Sequence, residues 1–191
     1  PTPYDPAKVG EKGTSRTTTA AASSAGTRDD DSSPLSAYTA RERSAYANVV
    51  RNGAMRWPTF ADVTDANYSN IAQWESDLDY VRSIAVDHDL DLPLKQARDF
   101  AFSVMDSHSV LGSMGILIKK IADGDPEWTE PSGAPLPSAN DQWKEYRRSI
   151  RSMQHRDAVL GLSRRVPVVQ QWSEWVDQQL ERLDAEYAAL I

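Results

Sequence analysis

The first 33 residues, PTPYDPAKVGEKGTSRTTTAAASSAGTRDDDSS, carry almost no large apolar side chains. A segment of this make-up has nothing to bury that would offset the entropy lost on ordering it. Any core must therefore come from residues 34–191, and the chain divides into an extended low-complexity arm, 1–33, and a body, 34–191. The arm opens on Pro1, Pro3 and Pro6 and runs into the repetitive stretch TTTAAASSAG at 17–26. Such an arm is either a flexible tail or an extended strap that orders on a partner; the strap is the expectation here, and it points to a component of a larger assembly rather than a free-standing enzyme.

The body is long enough to bury roughly 68–70% of the surface its unfolded chain exposes, so one core without staples is expected. The chain has no cysteine, which excludes disulfides and thiolate metal sites and fits a reducing cytoplasm. Its longest apolar-leaning stretch, 110–121, is interrupted by Gly112, Ser113, Gly115, Lys119 and Lys120, so no membrane span and no membrane partner are expected. The N-terminal stretch lacks the basic-then-apolar layout of a signal peptide. A net charge of −7 argues against a broad phosphate-binding surface, so nucleic acid is not an expected partner. Within the arm, Lys8, Lys12, Arg16 and Arg28 oppose Asp5, Glu11, Asp29, Asp30 and Asp31, a balance suited to lying on protein.

The body reads as helices. Leu35, Tyr38, Tyr46, Val49 and Val50 fit one face that ends at Asn52-Gly53. Thr64 or Asp65 is placed to cap a second helix, whose Ile71, Trp74, Leu78, Val81 and Ala85 recur at three and four residues. The stretch DHDLDLP, 87–93, breaks it, and Pro93 suits the first turn of a third helix. Leu94, Ala97, Phe100, Ala101, Val104 and Met105 form that helix's stripe, which continues through Val110, Leu111, Met114, Leu117, Ile118 and Ile121. This is one bent helix or two divided near 107–109, with Gly112 and Gly115 permitting close backbone approach. After a proline-rich loop at 124–138, Ser138 or Asn140 caps a helix faced by Trp143, Tyr146, Ile150 and Met153. Pro167 opens a terminal helix marked by Val169, Trp172, Val176, Leu180, Leu183, Tyr187 and Leu190. No segment sustains period-two alternation, so the expectation is an all-α bundle of five or six helices.

Two clusters hold residues with chemical potential. Asp87, His88, Asp89 and Asp91 open like a calcium loop, but Leu92 stands where the glycine is needed and Arg98 where the closing glutamate is needed. Asp106, Ser107, His108 and Ser109 contain triad residue types, yet neighbours along a helix do not face one another. Three histidines scattered singly do not suggest zinc, and no phosphate-loop or dinucleotide motif is present. The chain is expected to be no enzyme, with no catalytic residue, no metal and no cofactor. Arg147, Arg148, Arg151, Arg156, Arg164 and Arg165 concentrate positive charge near an acidic terminal helix, which favours ion pairing. Trp57 and Trp128 lie in proline-rich connections and Trp175 leaves the main stripe, which makes the three candidate interface anchors.

The segment EWTEPSGAPLPSANDQWKEYRRSIRSM, 127–153, resembles the conserved segment of the tailed-phage tail assembly chaperone and tail-fibre assembly proteins. The residues that carry the resemblance are Trp128, Thr129, Ala134, Pro135, Leu136, Trp143, Tyr146, Arg147, Ile150 and Arg151. They span about a seventh of the chain. The resemblance implies a binding and assembly role, supplies no catalytic residues, and adds the face of Trp143, Tyr146, Arg147 and Arg151 to the partner-binding candidates. It does not account for the arm or for the long terminal helix, which suit a protein that stays in the particle. The expected function is therefore a multi-copy structural component of a tailed-phage virion, assembled in the host cytoplasm. Its expected partners are other virion proteins and copies of itself. The alternatives are an assembly chaperone, absent from finished particles, and a small metal-dependent or hydrolytic enzyme.

Overall fold

The computed structural model describes residues 39–84 and 88–191, apart from the side chains of His88, Asp157 and Ala158. The arm at 1–33 lies outside the described residues, as do Leu35, Tyr38, Ala85 and Asp87. The described residues form an all-α fold of seven helices, one turn of 3-10 helix and a single two-stranded hairpin. The helices are α1 (Ala40–Val49), α2 (Phe60–Thr64), α3 (Ser69–Ser83), α4 (Asp91–Ala122), α5 (Pro137–Gln154), α6 (Asp157–Ser163) and α7 (Pro167–Ala188). The hairpin pairs β1 (Val50–Arg51) with β2 (Ala54–Met55). The short α2 and α6 raise the count above the expected five or six.

The first helix starts at a capping box. The Thr39 hydroxyl accepts from the Glu42 N–H at 3.1 Å, and the Glu42 carboxylate accepts from the Thr39 N–H at 2.6 Å. Two of the donors a helix start leaves unsatisfied are thus satisfied reciprocally, which contributes about 1 kcal/mol. The helix ends earlier than its apolar face suggests. Val50 enters the hairpin, where Asn52 (φ 54) and Gly53 (φ 75) form the two-residue turn. Left-handed backbone at both positions matches the right-handed twist of the strands, and Asn-Gly is the dipeptide that adopts it most readily. Asn52-Gly53 is thus a hairpin turn rather than a helix stop.

Thr64 and Asp65 do not cap α3. The Thr64 hydroxyl donates back to the Phe60 carbonyl at 2.9 Å, and Asp65 accepts from the Asn67 N–H at 3.1 Å. A short side-chain oxygen that closes its own turn is no longer available to a later helix. Ile71, Trp74, Leu78 and Val81 of α3 are buried as their spacing predicts. Likewise α5 is capped by neither Ser138 nor Asn140: Pro137 opens it, Leu136 stands at the cap without a side-chain bond, and Ser138 is already helical. Pro167 opens α7 as expected.

The third expected helix is α4, unbroken from Asp91 to Ala122. Pro93 is its third residue, still within the first turn, where a missing N–H costs no intrahelical bond. The division expected near 107–109 is absent. A Cβ at Gly112 or Gly115 meets nothing within 4 Å, so the expected close backbone approach is absent too. Because the helix is continuous, it is longer and more apolar than the interrupted run suggested. Among the described residues it is the one helix that length and composition would allow to cross a membrane. Its Leu94, Ala97, Phe100, Val104, Met114, Leu117 and Ile121 are buried inside the protein.

The chain forms two compact units. The first joins α1, the hairpin, α3 after Ser69 and α4 through Ala101. Val49, Ile71, Leu78, Val81, Ala97 and Phe100 fill its core. Trp57 packs its ring 5.8 Å from Trp74 and 6.3 Å from Phe100, and the Trp74 indole donates to the Arg56 carbonyl at 3.1 Å. The second unit joins Thr59–Ser69, which contains α2, to everything from Phe102 to Ile191. There α7 packs against α2 and α6, and its Val169, Trp172, Val176, Leu180, Leu183 and Tyr187 are buried, while Leu190 is half-buried beyond the helix end.

Candidate functional site

Within the second unit, α5 meets α7 through a row of polar and aromatic contacts. The rings of Trp143 and Tyr187 stack with centroids 4.3 Å apart and an interplanar angle of 11°. Asp184 accepts from the Trp143 indole at 3.0 Å on one oxygen and from Arg147 at 3.1 Å on the other. One turn earlier on α5, the Tyr187 hydroxyl donates to Asn140 at 2.5 Å. Burial pushes that hydroxyl above the ordinary tyrosine range. Further along, Asp177 accepts from Arg151 at 2.5 Å and from Gln154 at 2.9 Å, and Gln154 also donates to the Ser173 carbonyl at 3.0 Å. The face carrying Trp143, Arg147 and Arg151 is therefore engaged with α7 of the same chain. The acidic terminal helix neutralises two arginines of the basic concentration, and Arg148 pairs with Glu145 on its own helix. Tyr146 lies half-buried on the same helix.

The loop before α5 folds on itself. The Leu136 N–H donates to the Trp128 carbonyl at 2.9 Å and the Glu130 N–H to the Ala134 carbonyl at 2.8 Å, which pairs Thr129 with Pro135. Gly133 turns the chain at φ 92. This geometry half-buries Trp128 and leaves its indole nitrogen and the Thr129 hydroxyl buried without a hydrogen-bond partner among the described residues.

Trp175 sits 5.1 Å from the ring of His108, and Tyr68 lies 5.9 Å from that ring. His108 Nε2 lies 2.7 Å from the Val63 carbonyl. A carbonyl only accepts, so Nε2 carries the proton in this contact. Ser107, next in sequence, donates to the Val104 carbonyl of its own helix at 2.7 Å. The two residues serve different partners, and this geometry does not make one activate the other. Of the aspartate-rich stretch, Asp91 pairs with Arg82 at 3.0 Å. Among the described residues, no group of three or more His, Asp or Glu side chains is placed to hold a metal ion.

A polar groove of about 630 Å³ opens in the first unit, with Arg41, Asn48, Arg51, Arg56 and Asp77 among its walls. Asp77 is buried and accepts from Asn48 at 2.6 Å and from Gln73 at 3.2 Å. Arg56 donates to the Asn48 side chain at 2.5 Å, and Arg41 lies 5.1 Å over the Tyr80 ring. Sequence reasoning missed this groove. Its one local signal was Asn52-Gly53, which as a hairpin turn places Arg51 and Arg56 beside the last turn of α1.

Compared with known proteins, the chain matches no family model, no curated protein and no solved structure.

Proposed function

We propose that this chain is a non-catalytic structural protein, a multi-copy virion component of a tailed bacteriophage whose N-terminal arm laces onto neighbouring subunits. The observation that carries this reading is the contrast between residues 1–33, which offer almost nothing to bury, and a body with a full apolar core of its own. An arm of that composition adds contact area only by lying on another surface, and ordering it costs part of the binding energy it brings. The likeness of 127–153 to phage tail assembly proteins supplies the viral setting. The internal use of Trp143, Arg147 and Arg151 within the second unit supports leaving the lacing to the arm.

Deletion of residues 1–33 tests the reading. The expected result is a body with unchanged helix content and thermal unfolding that no longer enters particles. Normal particles built from the deleted chain would overturn it. Detection of the chain in purified particles separates this role from that of a transient assembly chaperone.

A further inference from the structure

We infer that the arginine groove of the first unit is the receptor for the acidic tract Asp29, Asp30 and Asp31 of a second copy's arm. The inference rests on the proposed function, in which arms lace onto neighbours.

The groove follows one face of α1. Arg41 and Asn48 stand seven residues apart on a helix about 15 Å long, and the hairpin adds Arg51 and Arg56 at its far end. Three guanidinium groups face a single carboxylate, Asp77, and that carboxylate is occupied by Asn48 and Gln73. Arg41 and Arg51 have no carboxylate partner among the described residues, although the chain as a whole carries a net charge of −7. An exposed cationic row on an acidic protein stands ready for an anionic partner.

The shape selects among anions. An open groove of about 630 Å³ is far larger than one oxyanion needs and suits an extended peptide laid along the helix. Planar guanidinium forks pair with carboxylates through two parallel bonds, so adjacent aspartates match a row of arginines. Asp29, Asp30 and Asp31 form such a tract within the arm itself. A chain's own tract ends eight residues before Thr39, and the capping box holds Thr39 extended at φ −64 and ψ 163. It must reverse within about 26–29 Å of chain to lie back along α1. A second copy's tract needs no reversal and can cross in either direction.

The test uses the full-length chain with Asp29, Asp30 and Asp31 changed to Asn as receptor, and a synthetic peptide of residues 26–33 as probe. Titration of the acidic peptide is expected to shift the side-chain Nε–H resonances of Arg41 and Arg51. An otherwise identical peptide with three asparagines leaves them in place. Arg51→Glu, at an exposed side chain with no hydrogen-bond or ion-pair partner among the described residues, is expected to weaken peptide binding about tenfold or more. In the unmodified chain, the same resonances are expected to move on dilution. Unshifted arginines, equal binding of both peptides, or an unmodified chain whose arginine signals are independent of concentration would overturn the inference, the last by placing each tract in its own groove. Particles that tolerate Arg51→Glu but not arm deletion would leave the proposed function standing and remove this inference alone.

Discussion

Trp143 and Tyr187, 44 positions apart in sequence, lie ring on ring at 4.3 Å and nearly parallel. They join α5 to α7, and both rings are buried. Replacing Trp143 by Ala removes the stack, the indole donor and a large buried volume together. The expected loss is about 3–5 kcal/mol in urea unfolding. A loss below about 1 kcal/mol would mean that the α5–α7 seam is held elsewhere.

Asp184 is the shared acceptor of that seam. Asp184→Ala orphans the buried Trp143 indole and frees Arg147, for an expected cost of about 1–3 kcal/mol. The Arg147 share is small because both partners are about one-third to two-fifths exposed. A double-mutant cycle with Arg147→Ala should therefore give a coupling of about 0.2–1 kcal/mol that shrinks in high salt.

Glycines in this chain divide by backbone angle. Gly112 and Gly115 lie inside α4 with open space where a Cβ would stand. Alanine at either is expected to stabilise by about 0.5–1 kcal/mol. Gly53 holds φ 75 in the hairpin turn, and alanine there is expected to cost about 1 kcal/mol despite equally open space. Chemical denaturation of the three variants checks both signs; a destabilised Gly112→Ala would reveal a packing role for that glycine.

Burial raises the Glu75 carboxyl above its ordinary 4.5, against the opposing hydrogen bond and charge of Arg98, with the Asp79 charge adding to the rise. The folded state then holds this proton more tightly than the unfolded chain does. The stability it contributes is fully present below about 4.5 and is lost as pH rises through the higher folded value. Glu75→Gln removes the titration. The melting temperature of the variant, relative to the parent, should rise between pH 4 and pH 7. A difference that stays flat or falls over that range would contradict the direction of the shift.

Helical periodicity was legible because burial in a bundle repeats every three to four residues whatever the partner is. Ile71, Trp74, Leu78 and Val81 were identifiable as core from spacing alone, as was the α7 stripe through Tyr187. Helix boundaries were less legible, since Thr64, Asp65, Ser138 and Asn140 all have capping side chains. Which of them caps depends on turns that neighbouring segments close first. Asn140 instead serves Tyr187, a partner 47 residues away. Val50 is equally apolar in a helix or a strand, and only the pairing with Met55 decides between them.

By itself the sequence determined the helical class and the buried stripes of the long helices. Local spacing and composition suffice for these, because they state what each segment has to bury. Tertiary structure alone decided the continuity of α4, the engagement of Trp143 and Arg147 by Asp184, and the convergence of Arg41, Arg51 and Arg56 on one groove. Each of these depends on which side chains from distant positions meet, and periodicity along one segment carries no information about the partner across from it.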